Sequence, residues 1–133
     1  VATMHFELVS PERILFSGEV DAVLLPATEG DMTVMPGHAP AITTLKAGFV
    51  VATDSKNHGE RVLVRGGFAE INAAGVIVLA ERATPVEELT PERIDREITE
   101  LQTRRDGTDD DFARRAYDET IGQLEEARET LKL

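Results

Sequence analysis

Apolar residues follow two different rhythms along this chain, and the change comes near Pro85. Before it they form short, β-branched runs broken by Gly, Pro and Asn. Phe6–Val9 stops at Ser10-Pro11, Ile14–Phe16 at Ser17-Gly18, Val20–Leu25 at Pro26, and Thr33–Met35 at Pro36-Gly37. Phe49–Ala52, Arg61–Val64, Phe68–Ile71 and Val76–Leu79 follow. Short strands with a turn signal about every eight to twelve residues predict an antiparallel sandwich or barrel. Asn72-Ala73-Ala74-Gly75 reads as a hairpin loop. Gly66-Gly67 reads as a tight turn, or as a bulge where another backbone comes close.

After Pro85 the period becomes helical. Thr90 is placed to cap a helix with Pro91 at its first position, where the missing N–H costs nothing. Ile94, Ile98 and Leu101 then share one face. Asp106-Gly107 should stop this helix, with Gly107 left-handed. Thr108 and Asp111 resemble a capping box for a second helix, whose stripe is Phe112, Ala116, Ile121, Leu124, Ala127 and Leu131. Glu92/Arg96, Glu100/Arg104 and Asp111/Arg115 have the favourable acid-before-base order. The short linker predicts an antiparallel hairpin. Its narrow stripes bury little, so it should be marginal alone and able to dock or open. The fold class is therefore α+β, mainly β, with strands in 1–84 and helices in 85–133.

Composition narrows the function. The chain has 133 residues, no cysteine and a formal charge of −11. Disulfides and thiolate metal sites are excluded, and a reducing compartment is expected. The charge argues against nucleic acid and against a polybasic lipid anchor. No apolar run reaches the ~18 residues of a membrane helix, and no signal peptide is visible. Residues 1–84 carry 10 acidic and 6 basic side chains, and residues 85–133 carry 15 and 8. The acidity is concentrated in the helical part.

Catalytic chemistry finds little support. The three histidines, His5, His38 and His58, have no second His or Cys at ligand spacing, so no metal site is expected. Asp31 and His38 are the best acid–base candidates, but no orienting third group or oxyanion feature accompanies them. Gly30 and Gly37 are not arranged as a phosphate loop. The stretch EGDMTVMPGHAP, residues 29–40, reads instead as a strand-turn-strand on a sheet edge, suited to a partner or simply to an exposed turn.

That stretch resembles a signature of the epsilon subunit of bacterial F-type ATP synthases, whose mitochondrial counterpart is called delta. The resemblance extends through FELVSPERILFSGEV (6–20), DAVLLPATEGDMTVMPGHAPAITTLKAGFV (21–50), RGGFAEI (65–71) and VIVLAERA (76–83), in order and at the family's spacing. It implies a flattened β-sandwich of about ten strands before a two-helix hairpin. It also implies a non-catalytic rotor part of a proton-translocating ATP synthase, bound to the gamma subunit and to the membrane ring of c subunits. The ring-facing loop falls on Glu29, Gly30, Asp31, Met32, Pro36, Gly37, His38, Ala39 and Pro40. The gamma contact is assigned to Gly66, Gly67 and Phe68. The expected location is the cytoplasmic face of the bacterial inner membrane, held by partners rather than by lipid.

In some members of the family ATP binds the folded hairpin, and in some the hairpin opens along gamma and inhibits hydrolysis at the alpha/beta head. The family's ATP motif runs Ile or Leu, Asp, two variable residues, Arg, Ala. Placed on Val86–Pro91 it keeps an acid at Glu87 but has Thr90 for arginine and Pro91 for alanine. Placed on Leu89–Ile94 it keeps Leu89 and Arg93 but has Thr90 for the acid and Ile94 for alanine. Each register loses a charge-assisted hydrogen bond, so weak or absent ATP binding and no cofactor are expected. Arg114, Arg115 and Arg128 could meet an acidic head. Asp118, Glu119, Glu125, Glu126 and Glu129 on the same helix oppose that contact, so little inhibition is expected. The alternative from the residues alone is a stand-alone sandwich that self-associates through its helices.

Overall fold

The computed structural model describes residues 2–54 and 59–132. The chain forms two compact units, Val1–Val86 and Glu87–Leu133. The first contains strands β1 (Met4–Val9), β2 (Ile14–Val20), β3 (Ala22–Ala27), β4 (Gly30–Val34), β5 (Ala41–Thr44), β6 (Gly48–Thr53), β7 (Gly59–Asn72) and β8 (Gly75–Pro85). The hydrogen-bonded order is β2-β1-β8-β7-β6-β3-β4, with β5 also on β7.

The length of β7 explains how one path becomes two layers. Its first half pairs with β6, from Thr53 opposite Gly59 to Gly48 opposite Val64. Its second half pairs with β5, from Thr44 opposite Phe68 to Ala41 opposite Ile71. β8 runs along its other edge from Val62 to Asn72. β5 and β6 thus occupy successive stretches of one edge, and the sheet folds between them. The layers are β2-β1-β8-β7-β5 and β8-β7-β6-β3-β4, the latter halves of β8 and first halves of β7 belonging to the second layer. Counted by layer, this is the ten-segment sandwich that the resemblance implies.

The fold line is Gly66-Gly67, which is therefore not a turn. Both residues have positive φ, +75° and +116°, and a Cβ on Gly67 would collide with the Leu79 carbonyl. Only glycine relieves both demands. Nor is it a bulge by register: Arg65 faces Arg82 and Gly67 faces Ala80 without an extra residue. The side-chain parity still flips, because Val62 and Val64 point inward before the pair and Ala69 and Ile71 after it. The expected close approach of a second backbone is present.

Alternation fills the core. Phe6, Leu8, Val20, Val23, Leu25, Val50, Val64, Ile71, Val76 and Val78 are buried in one cluster, and Phe6 and Phe16 pack with ring centroids 5.5 Å apart. Ser17-Gly18 does not end a strand. Gly18 pairs with Phe6, and β2 runs to Val20 before the break at Asp21. β5 lacks a strong apolar run and is formed by its pairing with β7.

A short 3₁₀ turn, Val86–Glu88, at the boundary of the units precedes α1 (Pro91–Asp106) and α2 (Asp111–Thr130). The Thr90 hydroxyl accepts the Arg93 N–H at 3.1 Å, and Pro91 opens the helix. Gly107 departs from expectation: its φ of −89° is right-handed, and its N–H bonds the Thr103 carbonyl. The second cap is Asp110, not Thr108. Its carboxylate accepts the Phe112 N–H at 3.0 Å, while the Thr108 hydroxyl accepts the Asp110 N–H.

The buried face of α2 follows from residue spacing. Ile121, Leu124 and Ala127 are buried as expected, but Ala116 is exposed and Phe112 is 82 % exposed. Ala113 and Tyr117, half-buried, complete the stripe, Tyr117 seven residues before Leu124 and Ala113 four before Tyr117. The pairs Asp95–Arg128 and Arg105–Asp118 join the start of α1 to the end of α2 and the end of α1 to the first half of α2. The helices are therefore antiparallel.

Candidate binding surfaces

Residues 29–40 do not form one loop. Thr28-Glu29 is the turn of the β3–β4 hairpin, in which Ala27 faces Gly30 and Pro26 faces Asp31. β4 is the outer strand of its layer. Past it, residues 35–40 cross to β5, which belongs to the other layer. The stretch is thus an edge strand with a turn at each end. Val34 points into the core, Met32 and Pro36 are half-buried, and Glu29, Gly30, Asp31, Met35, Gly37, His38, Ala39 and Pro40 are exposed. The His38 N–H bonds the Met35 carbonyl at 3.1 Å, closing the Pro36-Gly37 turn. His38 Nδ1 lies 2.8 Å from the Ala39 carbonyl oxygen. Its partner is therefore local backbone, and Asp31 sits in β4 opposite Pro26.

The outer face of the first layer carries a feature that only the pairing reveals. Thr44 lies opposite Phe68, Phe68 opposite Leu79, Leu79 opposite Val9, and Val9 opposite Ile14. These residues make a continuous cross-strand row, since paired side chains lie about 5 Å apart. Phe68 is 43 % exposed, Leu79 41 % and Ile14 68 %. Ile42, 75 % exposed, stands one row away. A groove of about 360 Å³ follows the row, lined by Val9, Pro11, Gly67, Phe68, Leu79 and Glu81. Contiguous apolar surface of this kind marks an interaction site more often than scattered exposed residues do. Of Gly66, Gly67 and Phe68, Phe68 is the one whose side chain joins the exposed row, and the glycines shape the strand beneath it.

The sequence held a signal for this row that strand spacing alone did not extract. β8 is apolar at both parities, with Val76, Val78 and Ala80 inward and Ile77 and Leu79 outward. A one-sided strand alternates; a strand apolar on both faces has two surfaces to cover.

His5, on the same outer face, lies between two carboxylates, with Nε2 3.0 Å from Glu7 and Nδ1 3.4 Å from Glu19. The Glu7 hydrogen bond is the largest influence, and with Glu19 it raises the imidazole pKa above its ordinary 6.5 against some desolvation. His58 lies outside the described residues. Among the described residues no group of three or more His, Cys, Asp or Glu could hold a metal ion. No described helix is long and apolar enough to cross a membrane.

The residues of the incomplete ATP motif serve the start of α1. Leu89 and Ile94 are buried, Thr90 is the cap, and Val86 and Glu87 lie in the 3₁₀ turn; Arg93 is exposed. Arg114 and Arg115 are exposed on α2, but Arg128 is paired with Asp95. Arg105 bonds Asp118 at 2.9 Å and Asp106 at 3.2 Å; the Asp118 bond is the larger cause of its raised pKa. Of the three predicted pairs within a helix, Glu100–Arg104 closes, at 3.0 Å.

Comparison with known proteins agrees with this architecture. The family described as ATP synthase, Delta/Epsilon chain, beta-sandwich domain matches residues 3–86. An ATP synthase epsilon chain of Parvibaculum lavamentivorans is 42 % identical over 128 residues, covering 96 % of this chain and 97 % of that one. An ATP synthase epsilon chain of a Ruegeria species is 50 % identical over 101 residues, covering 76 % and 73 %. A chain in the Euglena gracilis mitochondrial ATP synthase OSCP/F1/c-ring structure has the same fold, with a TM-score of 0.78 at 22 % identity over 98 % of this chain and 82 % of that one. A chain of the Tetrahymena thermophila mitochondrial ATP synthase central stalk and c-ring gives 0.69 at 13 % identity over 95 % and 96 %. With its sandwich, its glycine fold line and its helix pair in the family's order, this chain belongs to the ATP synthase epsilon family.

Proposed function

We propose that the chain is a non-catalytic subunit of the central stalk of a proton-driven ATP synthase, transmitting rotation of the membrane ring to gamma. The observation that carries this reading is the exposed apolar row Ile14–Val9–Leu79–Phe68 on a well-packed sandwich. Torque transfer needs a broad, shape-matched face on a stiff body, and no reactive group. In this reading gamma covers that row, and the edge from Glu29 to Pro40 meets the c-ring. The chain sits on the cytoplasmic face of the bacterial inner membrane through these partners.

The hairpin acts as a weak brake or none, and ATP binds it weakly or not at all. The incomplete motif and the acidity of α2 support this. The test is reconstitution with an epsilon-depleted head that contains gamma. The full chain should bind one to one, and Phe68→Asp should weaken binding by at least about tenfold, as expected for a central apolar anchor. Truncation after Val86 should leave the ATPase rate within about twofold of that with the full chain. Severalfold activation on truncation would refute the weak brake. Failure of the full chain to bind, alongside a competent control subunit, would favour the stand-alone module.

A further inference from the structure

The two salt bridges between α1 and α2 form a pattern. Asp95 and Arg105 are ten residues apart on α1, and their partners Arg128 and Asp118 are ten apart on α2. At 1.5 Å per residue the two contacts are about 15 Å apart, near opposite ends of the shared interface. Their polarity is reversed: α1 supplies the acid at one end and the base at the other. A slip of three residues in one direction would put Asp95 against Glu125 and Arg105 against Arg115. Both contacts would then be between like charges. The apolar stripe cannot discriminate so well, because small and large apolar positions recur at the same spacing.

We propose that these two pairs are an ionic clasp that fixes the register of the hairpin and makes its opening sensitive to ionic strength. Closing the clasp also sequesters Arg128, one of the three arginines α2 could present to an acidic partner. Glu125 and Glu129 border the open depression in which Arg128 meets Asp95. Opening the hairpin therefore takes Arg128 away from Asp95 on α1, while Glu125 and Glu129 stay beside it on α2. The clasp is a property of the helical unit and does not depend on the stalk reading.

The direction of the salt effect identifies it. The helical part is strongly acidic, with 15 acidic and 8 basic side chains. Screening of net charge would relieve self-repulsion and close the hairpin. Screening of a clasp would open it. The experiment is native-state hydrogen exchange on the full chain, read at the Ile121 and Leu124 amides, at about 20 mM and about 500 mM sodium chloride. Exchange should be faster at high salt. At low salt, Asp118→Asn and Asp95→Asn should each speed it by about twofold to fivefold, the range for partly exposed pairs, and should flatten the salt response. The exchanged pair Asp95→Arg with Arg128→Asp should recover most of the wild-type rate. Glu119→Gln, which removes a charge from α2 outside the pairs, should leave it unchanged. Slower or equal exchange at high salt would overturn the clasp. So would an equal effect of Glu119→Gln and Asp118→Asn, or no recovery in the exchanged pair.

Discussion

The two units are stabilised by different kinds of interaction. In the sandwich, large side chains such as Phe6, Leu8, Leu25 and Ile71 are fully buried in one cluster, and long strands run through both layers. In the helical unit the buried residues are few, α2 contributes Ile121, Leu124 and Ala127, and the interhelical contacts include paired charges at two levels. Burial is insensitive to salt and changes steeply with any lost methylene. Ion pairs are weak, screened and easily exchanged. One chain thus combines a stiff platform with an adjustable appendage.

The comparison can be broken at the fold line. Gly67→Val should be the most damaging single change. It places a β-branched residue at positive φ against the Leu79 carbonyl and should cost at least about 3 kcal/mol. Urea unfolding followed by circular dichroism would measure it, and a cost below 1 kcal/mol would show that the line can relax. Leu8→Ala should cost about 3–4 kcal/mol and lower the main transition. Leu124→Ala removes an equally buried side chain. Its effect should concentrate in α1 and α2, with hydrogen exchange in β7 and β8 unchanged. If both leucine variants unfolded the whole chain in one step, the units would be one cooperative body.

A smaller pair of changes sharpens the contrast at the helix starts. Thr90→Ala should cost about 1 kcal/mol, since it orphans the Arg93 N–H. Phe112→Ser should be within about 0.5 kcal/mol of neutral, because that ring faces solvent. An apolar reading of α2 from its first turn would predict the reverse order.

These residues also show where the sequence was legible. Strand runs and the first helix cap follow from local chemistry: Thr90 and Pro91 need no tertiary partner to make a helix start. Phe112 stands nine residues before Ile121, about two and a half turns and so on the opposite face, which makes it an apolar residue that spacing, not the cap, excludes from the stripe. Gly66-Gly67 reads from the sequence as a tight turn or as a bulge beside another backbone; the close approach holds, but the use of its positive φ to fold one strand across two layers is set by β5 and β6. The two-sided apolarity of β8 hints at the row from Ile14 to Phe68, but the row's membership depends on pairing for the same reason. The row joins four strands, and no single strand contains more than one of its members. The edge from Glu29 to Pro40 was found as a stretch, but its division between two layers depends on pairing partners far along the chain.

The smallest expected effect lies on β1. His5 is exposed, yet both ring nitrogens face carboxylates, Glu7 along its own strand and Glu19 across on β2. Its pKa is raised in the folded chain. The contribution to stability is therefore complete below the unfolded value of 6.5 and is lost as pH rises through the higher folded value. The wild-type urea midpoint should fall slightly across that window, relative to His5→Gln, which has no charge to lose. Salt should shrink the difference, because the groups are exposed. A difference that instead grew with pH would mean that the neutral ring is the form the fold prefers. The stability difference between wild type and Asp118→Asn should instead be read against added salt, which screens that exposed pair. The sandwich would then carry the response to pH and the hairpin the response to salt.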